Sequence, residues 1–176
     1  MGVLDADKLD VDPYELFESW FAEAKISEIN DPDAMAIASV DGAGMPSVRM
    51  VLLKEVIPEG FVFYTNYNSR KSGELLTTGK ASFVMHWKSL RRQVRVCGQV
   101  VQVPPEQSDI YFSSRPRGSR IGAWASDQSK PLASRQELQA AVKAAEARYG
   151  DDIPRPPHWG GFLIRPDEIE FWADGE

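Results

Sequence analysis

The period of the apolar and polar positions changes along the chain. Over residues 13–27, Leu16, Trp20 and Ala24 recur every four residues with Phe17 and Phe21 beside them, which predicts an amphipathic helix. Asp12 stands where an N-cap belongs, and Pro13 where a first helical residue needs no N–H. From Ala34 the apolar runs shorten to 34–40, 47–54, 61–65, 81–87 and 93–103, and Asp41-Gly42-Ala43-Gly44 and Pro58-Glu59-Gly60 make turns between them. The last run alternates most clearly, with Val94, Val96 and Val100 on one face and Gln93, Arg95 and Gln99 on the other. Five short strands joined by turns predict an antiparallel sheet or barrel. Helical spacing returns from Ser69 to Leu76, from Pro105 towards Phe112, and over 134–149, where Leu138, Val142, Ala145 and Tyr149 form a stripe behind Ser134. Two more strands are expected near 160–164 and 168–172. The expected fold class is α+β: one domain over 1–176, built on an antiparallel barrel with helices packed around it. No internal repeat interrupts it, and the three prolines of 151–157 read as a connector.

Composition narrows the function. The 176 residues are 43% hydrophobic and 26% charged, a globular composition that excludes a disordered or fibrous chain. Residues 69–120 carry ten Lys and Arg against three Asp and Glu, a local +7 within a net charge of −6, which leaves −13 elsewhere. An acidic protein with a basic centre suits a small anion and excludes general nucleic-acid binding. The first 33 residues hold ten acidic side chains and two lysines, the reverse of a targeting segment, with an acidic leader over about 1–12. No apolar run approaches the roughly 20 residues of a membrane helix, so a cytoplasmic protein is expected. Cys97 is the only cysteine and His86 and His158 are the only histidines, so neither an intrachain disulfide nor a metal is expected. Residues 73–81 have five residues rather than four between their glycines, and Ala81 where a phosphate loop carries Ser or Thr. They read as a helix end and turn.

The cations stand near element ends. Arg49 and Lys54 share one strand with apolar neighbours, and a cation there needs a partner. Strict alternation sends these two side chains to opposite faces, so Lys54 lies past the strand's end or a bulge re-aims it. Arg70 and Lys71 open a helix, where N–H groups and the dipole favour an anion, and with Thr65 and Ser69 they read as a phosphate site. Arg49 or Arg70 taken singly reads more readily as a structural ion-pair partner, and only the coincidence of four cations near element ends favours the anion site. A second cluster, Arg115, Arg117 and Arg120 interleaved with Tyr111, Ser113, Ser114 and Ser119, suits a second phosphate and an aromatic ring, or a solvated helix edge. Trp87, Trp124, Trp159 and Trp172 read as core. With no Ser/His/Asp or Cys/His arrangement and no metal cluster, the hard chemistry falls to an organic cofactor.

At these residues the sequence resembles the pyridoxamine 5'-phosphate oxidase family over about Asp12 to Glu176. The resemblance is carried by RMVLLK from Arg49 to Lys54, FYTN from Phe63 to Asn66, SRK from Ser69 to Lys71 and RQVRV from Arg92 to Val96. YFSSRPRGSRIGAW from Tyr111 to Trp124, DQS from Asp127 to Ser129, WGGF from Trp159 to Phe162 and IEFW from Ile169 to Trp172 complete it. It implies an FMN-binding split β-barrel that works as a homodimer with flavin at the subunit interface. The implied FMN contacts are Arg49, Met50, Val51, Leu52, Leu53, Lys54, Tyr64, Thr65, Arg70, Lys71, Gln93, Gln128, Ser129 and Trp172, some of them from the partner subunit. Lys54, Tyr111, Arg115 and Ser119 are implied to hold the substrate phosphate, and no side chain is expected to act covalently. The implied reaction is oxidation at C4' of pyridoxamine or pyridoxine 5'-phosphate, with dioxygen as acceptor and hydrogen peroxide as product. The family's usual Arg-Leu-His-Asp-Arg continuation after Trp172 and its N-terminal arm are not found here, so flavin binding is expected to survive better than turnover. Two alternatives accompany this reading: a related oxidase with another substrate, such as those of phenazine biosynthesis, and a module that binds FMN or pyridoxal phosphate without turnover.

Overall fold

The computed structural model describes residues 11–174. Helix α1, Pro13–Ser27, begins where Asp12 accepts hydrogen bonds from the N–H groups of Tyr14 and Glu15 at 2.7 and 3.3 Å. Its apolar stripe buries Phe17, Trp20 and Ala24. Six strands follow: β1 Ala34–Val40, β2 Pro46–Ile57, β3 Gly60–Asn66, β4 Lys80–Trp87, β5 Arg92–Gln102 and β6 Trp159–Ala173. They close an antiparallel barrel in the order β1-β2-β3-β6-β5-β4. Helix α1 covers one end, where Phe17 packs on Phe61 and Trp87 at ring-centroid distances of 4.9 and 6.1 Å. Helix α2, Arg70–Thr78, packs Leu75 into the same core. Ser69 caps it by accepting from the N–H of Ser72, and Gly79 ends it in the left-handed region.

Two strands depart from the pattern read in the sequence. The pair expected at 160–164 and 168–172 is one continuous strand of 15 residues, β6, which joins β3 with its first half and β5 along its length. The apparent break at Arg165-Pro166-Asp167 is absorbed by a register shift at Cys97 and Gly98. A Cβ on Gly98 would stand 2.0 Å from the carbonyl oxygen of Arg165, so only glycine fits this step.

Strand β2 extends three residues beyond the predicted 54 and carries a bulge between Leu53 and Glu55, where β3 advances one residue while β2 advances two. Val51 and Leu53 pack on the core before the bulge and Val56 packs on it afterwards, so the inward parity switches from odd to even positions. Lys54 and Glu55 therefore both turn outward. The bulge expected from the sequence is present, but it leaves Arg49 and Lys54 on opposite faces and re-aims Glu55 instead.

Helices α3, Pro105–Ser114, α4, Arg117–Ala125, and α5, Arg135–Tyr149, build a second apolar cluster from Phe112, Ile121, Ala145, Ile153 and Trp159. Helix α4 has no counterpart in the sequence reading. It contains two glycines and a serine, which weaken helix propensity, and buries only Ile121. Packing on α5 and on the cluster holds it.

Candidate functional site

A cleft of about 680 Å³ opens between the outward side of β2 and the corner formed by α3 and α4. Met50, Val51, Leu52 and Lys54 line it from β2, Tyr64 and Thr65 from β3, and Lys71 from α2. Tyr111, Arg115, Ser119 and Gln128 line the opposite side. Lys54 and Lys71 of the first cation cluster read from the sequence thus meet Arg115 of the second in one cavity.

The two ends differ in construction. At one end, Lys71 Nζ donates to Ser69 Oγ at 3.2 Å and to Gln128 Oε1 at 3.5 Å, and among the described residues no carboxylate pairs with it. Burial lowers its pKa, and the nearby Arg49 charge lowers it further, which is the electrostatics of a site short of an anion. At the other end, the Arg115 guanidinium lies over Trp159 at 4.5 Å and near Phe112 at 5.6 Å. Its Nη1 is buried with no hydrogen-bond partner. Beside it stands Ser119 in the first turn of α4, whose Pro116 cap offers no side-chain acceptor to the leading N–H groups.

Stacked aromatic rings line the cavity. The Tyr64 ring stacks on Tyr111 at 4.0 Å and 11°, and on Trp159 at 5.5 Å and 8°. Gly161 makes room for it, since a Cβ there would stand 2.8 Å from Tyr64 Cε1. The Tyr64 hydroxyl points to Glu55, and burial first, then that hydrogen bond, raise its pKa well above the ordinary phenol value. At the rim, Lys54 Nζ donates to Asp33 Oδ2 at 2.6 Å.

Other predicted contacts lie elsewhere in the single chain. Arg49 projects into the barrel's end, donating to Ser39 and Ser47 and pairing with Glu74 at 3.2 Å. Arg70 pairs with the same Glu74 at 2.8 Å, so the ion-pair reading describes both arginines as they stand here. Leu53 is core. Gln93 and Trp172 face each other across β5 and β6 on the outer sheet surface, and Ser129 sits beyond Gln128 with φ of 67°. Among the tryptophans, Trp87 is core as expected, Trp172 is half-exposed, and Trp159 is buried but contributes to the cleft wall.

Sequence reasoning missed Glu55, Gln107 and Asp33. The available signal was Glu55 itself, an acidic residue inside an apolar strand. A groove of about 830 Å³ between β6 and α3 contains none of the predicted residues, and its Arg155 is already held by Asp109 and the Trp159 carbonyl oxygen.

Comparison with known proteins places the chain in a family. Residues 22–172 match the family model described as pyridoxamine 5'-phosphate oxidase. The chain is 60% identical over 164 residues to a pyridoxine/pyridoxamine 5'-phosphate oxidase of Cereibacter sphaeroides, covering 93% of this chain and 82% of that one. It is 60% identical over 163 residues to a protein of the same name from Bartonella henselae, covering 92% and 79%. Among solved structures, PhzG from Burkholderia lata, in complex with tetrahydrophenazine-1-carboxylic acid, matches with a TM-score of 0.92 and 31% identity over 98% of this chain and 85% of that one. A pyridoxamine 5'-phosphate oxidase-related, FMN-binding protein from Nostoc punctiforme shares the fold, with a TM-score of 0.73 and 13% identity over 93% and 86%.

Proposed function

The chain belongs to the pyridoxamine 5'-phosphate oxidase family, and from that premise we propose that it is an FMN-dependent enzyme oxidising pyridoxamine or pyridoxine 5'-phosphate to pyridoxal 5'-phosphate. The observation that carries this reading is a single cleft lined by Lys71 and Arg115, two cations without a carboxylate partner among the described residues, together with the stacked Tyr64, Tyr111 and Trp159 rings. Two phosphorylated, ring-bearing molecules side by side match that arrangement.

At the first end, Lys71, Thr65 and Gln128 hold the FMN phosphate. Arg49 and Arg70 add to the field, since these two guanidiniums share one carboxylate, Glu74, and leave a net positive charge beside Lys71. At the second end, Arg115, Ser119, Tyr111 and Lys54 hold the substrate phosphate. The stacked Tyr64, Tyr111 and Trp159 rings fix the plane in which a ligand ring lies. Bound FMN supplies the two-electron acceptor, with dioxygen taking the electrons onward to hydrogen peroxide. The chain's own contribution is binding and orientation at C4', and no side chain need form a bond to substrate.

A homodimer fits the same reading. Val48, Met50 and Leu52 are exposed on the outer side of β2, opposite Ala38, Ala36 and Ala34 of β1, which in turn adjoins β4. Beyond this apolar patch the same sheet face turns polar through β4 and β5 and reaches Gln93 and Trp172. A two-fold contact across it brings those two residues of one subunit to the cleft of the other, which accounts for their distance from the cleft within one chain. No helix among the described residues is long and apolar enough to cross a membrane, and a cytoplasmic location fits the acidic leader.

The purified chain is expected to be yellow or to reconstitute with FMN, and to release peroxide when given pyridoxine 5'-phosphate under air. Yellow protein without peroxide would favour a binding module, and a chain that cannot take up FMN would remove the reading altogether. Arg70→Ala with Lys71→Ala is expected chiefly to weaken FMN, and Arg115→Ala chiefly to raise KM. An empty flavin site in Arg115→Ala would refute the separation of the two ends. The higher identity to the oxidases than to PhzG, with the anion pocket at Arg115, favours a phosphorylated B6 substrate over a phenazine precursor.

A further inference from the structure

Glu55 touches both sides of the cleft without lining it. The bulge in β2 turns it outward, where one carboxylate oxygen accepts from the Tyr64 hydroxyl and the other accepts from Gln107 Nε2 at 2.8 Å. Tyr64 belongs to β3, on the cofactor side. Gln107 belongs to α3, one helical turn before Tyr111, and α3 ends at Arg115. The Tyr111 ring in turn stacks on Tyr64 at 4.0 Å. The hydrogen bonds through Glu55 and this stacked pair therefore close a loop between the strand and the helix.

We propose that Glu55 is a positioning residue: by accepting from Tyr64 on β3 and Gln107 on α3 at once, it fixes the spacing between the cofactor end and the substrate-phosphate end of the cleft. The inference rests on the function proposed above. Both oxygens are needed, because two donors meet one side chain. Glutamine offers one oxygen, which can still accept from Tyr64, and an NH2, which meets Gln107 only if that amide turns to present its oxygen, so Glu55→Gln weakens the second link without abolishing it. The Tyr64 phenol stays protonated through neutral and mildly alkaline pH, so it remains a donor to Glu55 wherever the enzyme works. Displacement of reacting groups by about an ångström costs up to a hundredfold in rate, so a link of this kind is felt in turnover even though it touches no substrate.

The test uses the FMN-loaded protein and four chains: wild type, Glu55→Ala, Glu55→Gln and Gln107→Ala. For each, KM and kcat for pyridoxine 5'-phosphate, the Kd of pyridoxal 5'-phosphate, the Kd of FMN and the near-ultraviolet circular dichroism of the aromatic stack are measured. Glu55→Ala is expected to raise KM and the pyridoxal 5'-phosphate Kd together by about tenfold, with FMN Kd within about threefold of wild type and an altered aromatic spectrum. Glu55→Gln is expected to fall between wild type and alanine, and Gln107→Ala, which cuts one link, to resemble it. Variants that lower the melting temperature but leave KM, product Kd and spectrum at wild-type values would overturn the proposal and leave Glu55 a purely structural residue. Equal weakening of FMN and substrate would also overturn it. Should Glu55→Ala fail to fold, Gln107→Ala decides by the same readouts. A wild-type chain that does not turn over would refute the proposed function separately, and the spectra would still decide whether Glu55 holds the stack.

Discussion

Glu74 sits buried with Ser39, Ser47, Arg49 and Arg70 around it. Burial pushes its pKa up, but the hydrogen bonds of the serines and of Arg70, with the Arg49 charge, prevail and bring it to about 2 from an ordinary 4.5. A depressed carboxylate stabilises the fold fully above its unfolded pKa and loses that contribution as pH falls through the folded value. Thermal melts are therefore expected to show a stability loss between pH 4.5 and about 2 that is smaller in Glu74→Gln, against a lower plateau at neutral pH. Asp33 acts on Lys54 differently. Both side chains are about a quarter exposed, so their pair is screened and modest in strength, yet its negative charge stands beside the predicted phosphate cation. Asp33→Asn is expected to lower KM for pyridoxine 5'-phosphate by roughly two- to fivefold, with a smaller difference at high salt. The cations were legible in the sequence, because basic residues in an acidic chain stand out. Their partners were not, since Asp33, Ser39 and Glu74 come from separate segments that only the fold brings together.

Among the elements, the helix at Pro13, the capped helices after Ser69 and Ser134, and the alternating strand of Val94, Val96 and Val100 could be read directly, because cap chemistry and periodicity are local signals. Helix α4 and the continuity of β6 could not. One depends on packing against α5, and the other hides a register shift behind residues that look like a turn. The glycines mark where backbones or rings come closest. Gly98→Ala would meet a carbonyl oxygen of β6, whereas Gly161→Ala would meet the side chains of Val103 and Tyr64, which have some freedom to give. Urea midpoints are therefore expected to fall further for Gly98→Ala than for Gly161→Ala, the latter costing about 1–3 kcal/mol. Gly161→Ala is additionally expected to raise KM by displacing Tyr64 from its stack.

For the molecule as a whole, the +7 stretch of sequence resolves into unlike parts. Lys71 lines one part of the cleft and Arg115 another, Arg70 pairs with Glu74 beside it, and Arg92 pairs with Glu23, Arg95 with Glu170 and Arg117 with Glu146, as ordinary ion pairs. The exposed face of β2 gives the proposed dimer a direct test. Val48→Glu is expected to yield monomer by sedimentation velocity and to weaken FMN together with assembly; an intact dimer would place the interface elsewhere. The bulge at Lys54 has a consequence for how this barrel can change over time. Deleting that one residue would make the β2 ladder regular, with Leu53 and Val56 still inward and Glu55 still outward, and by packing alone favourable, yet it would remove the rim ammonium. The fold therefore keeps an irregularity that selection for stability alone would erase. Removing the extra residue between Leu53 and Glu55 is expected to give a sturdier protein that binds the substrate phosphate more weakly, read as a higher urea midpoint with a higher KM.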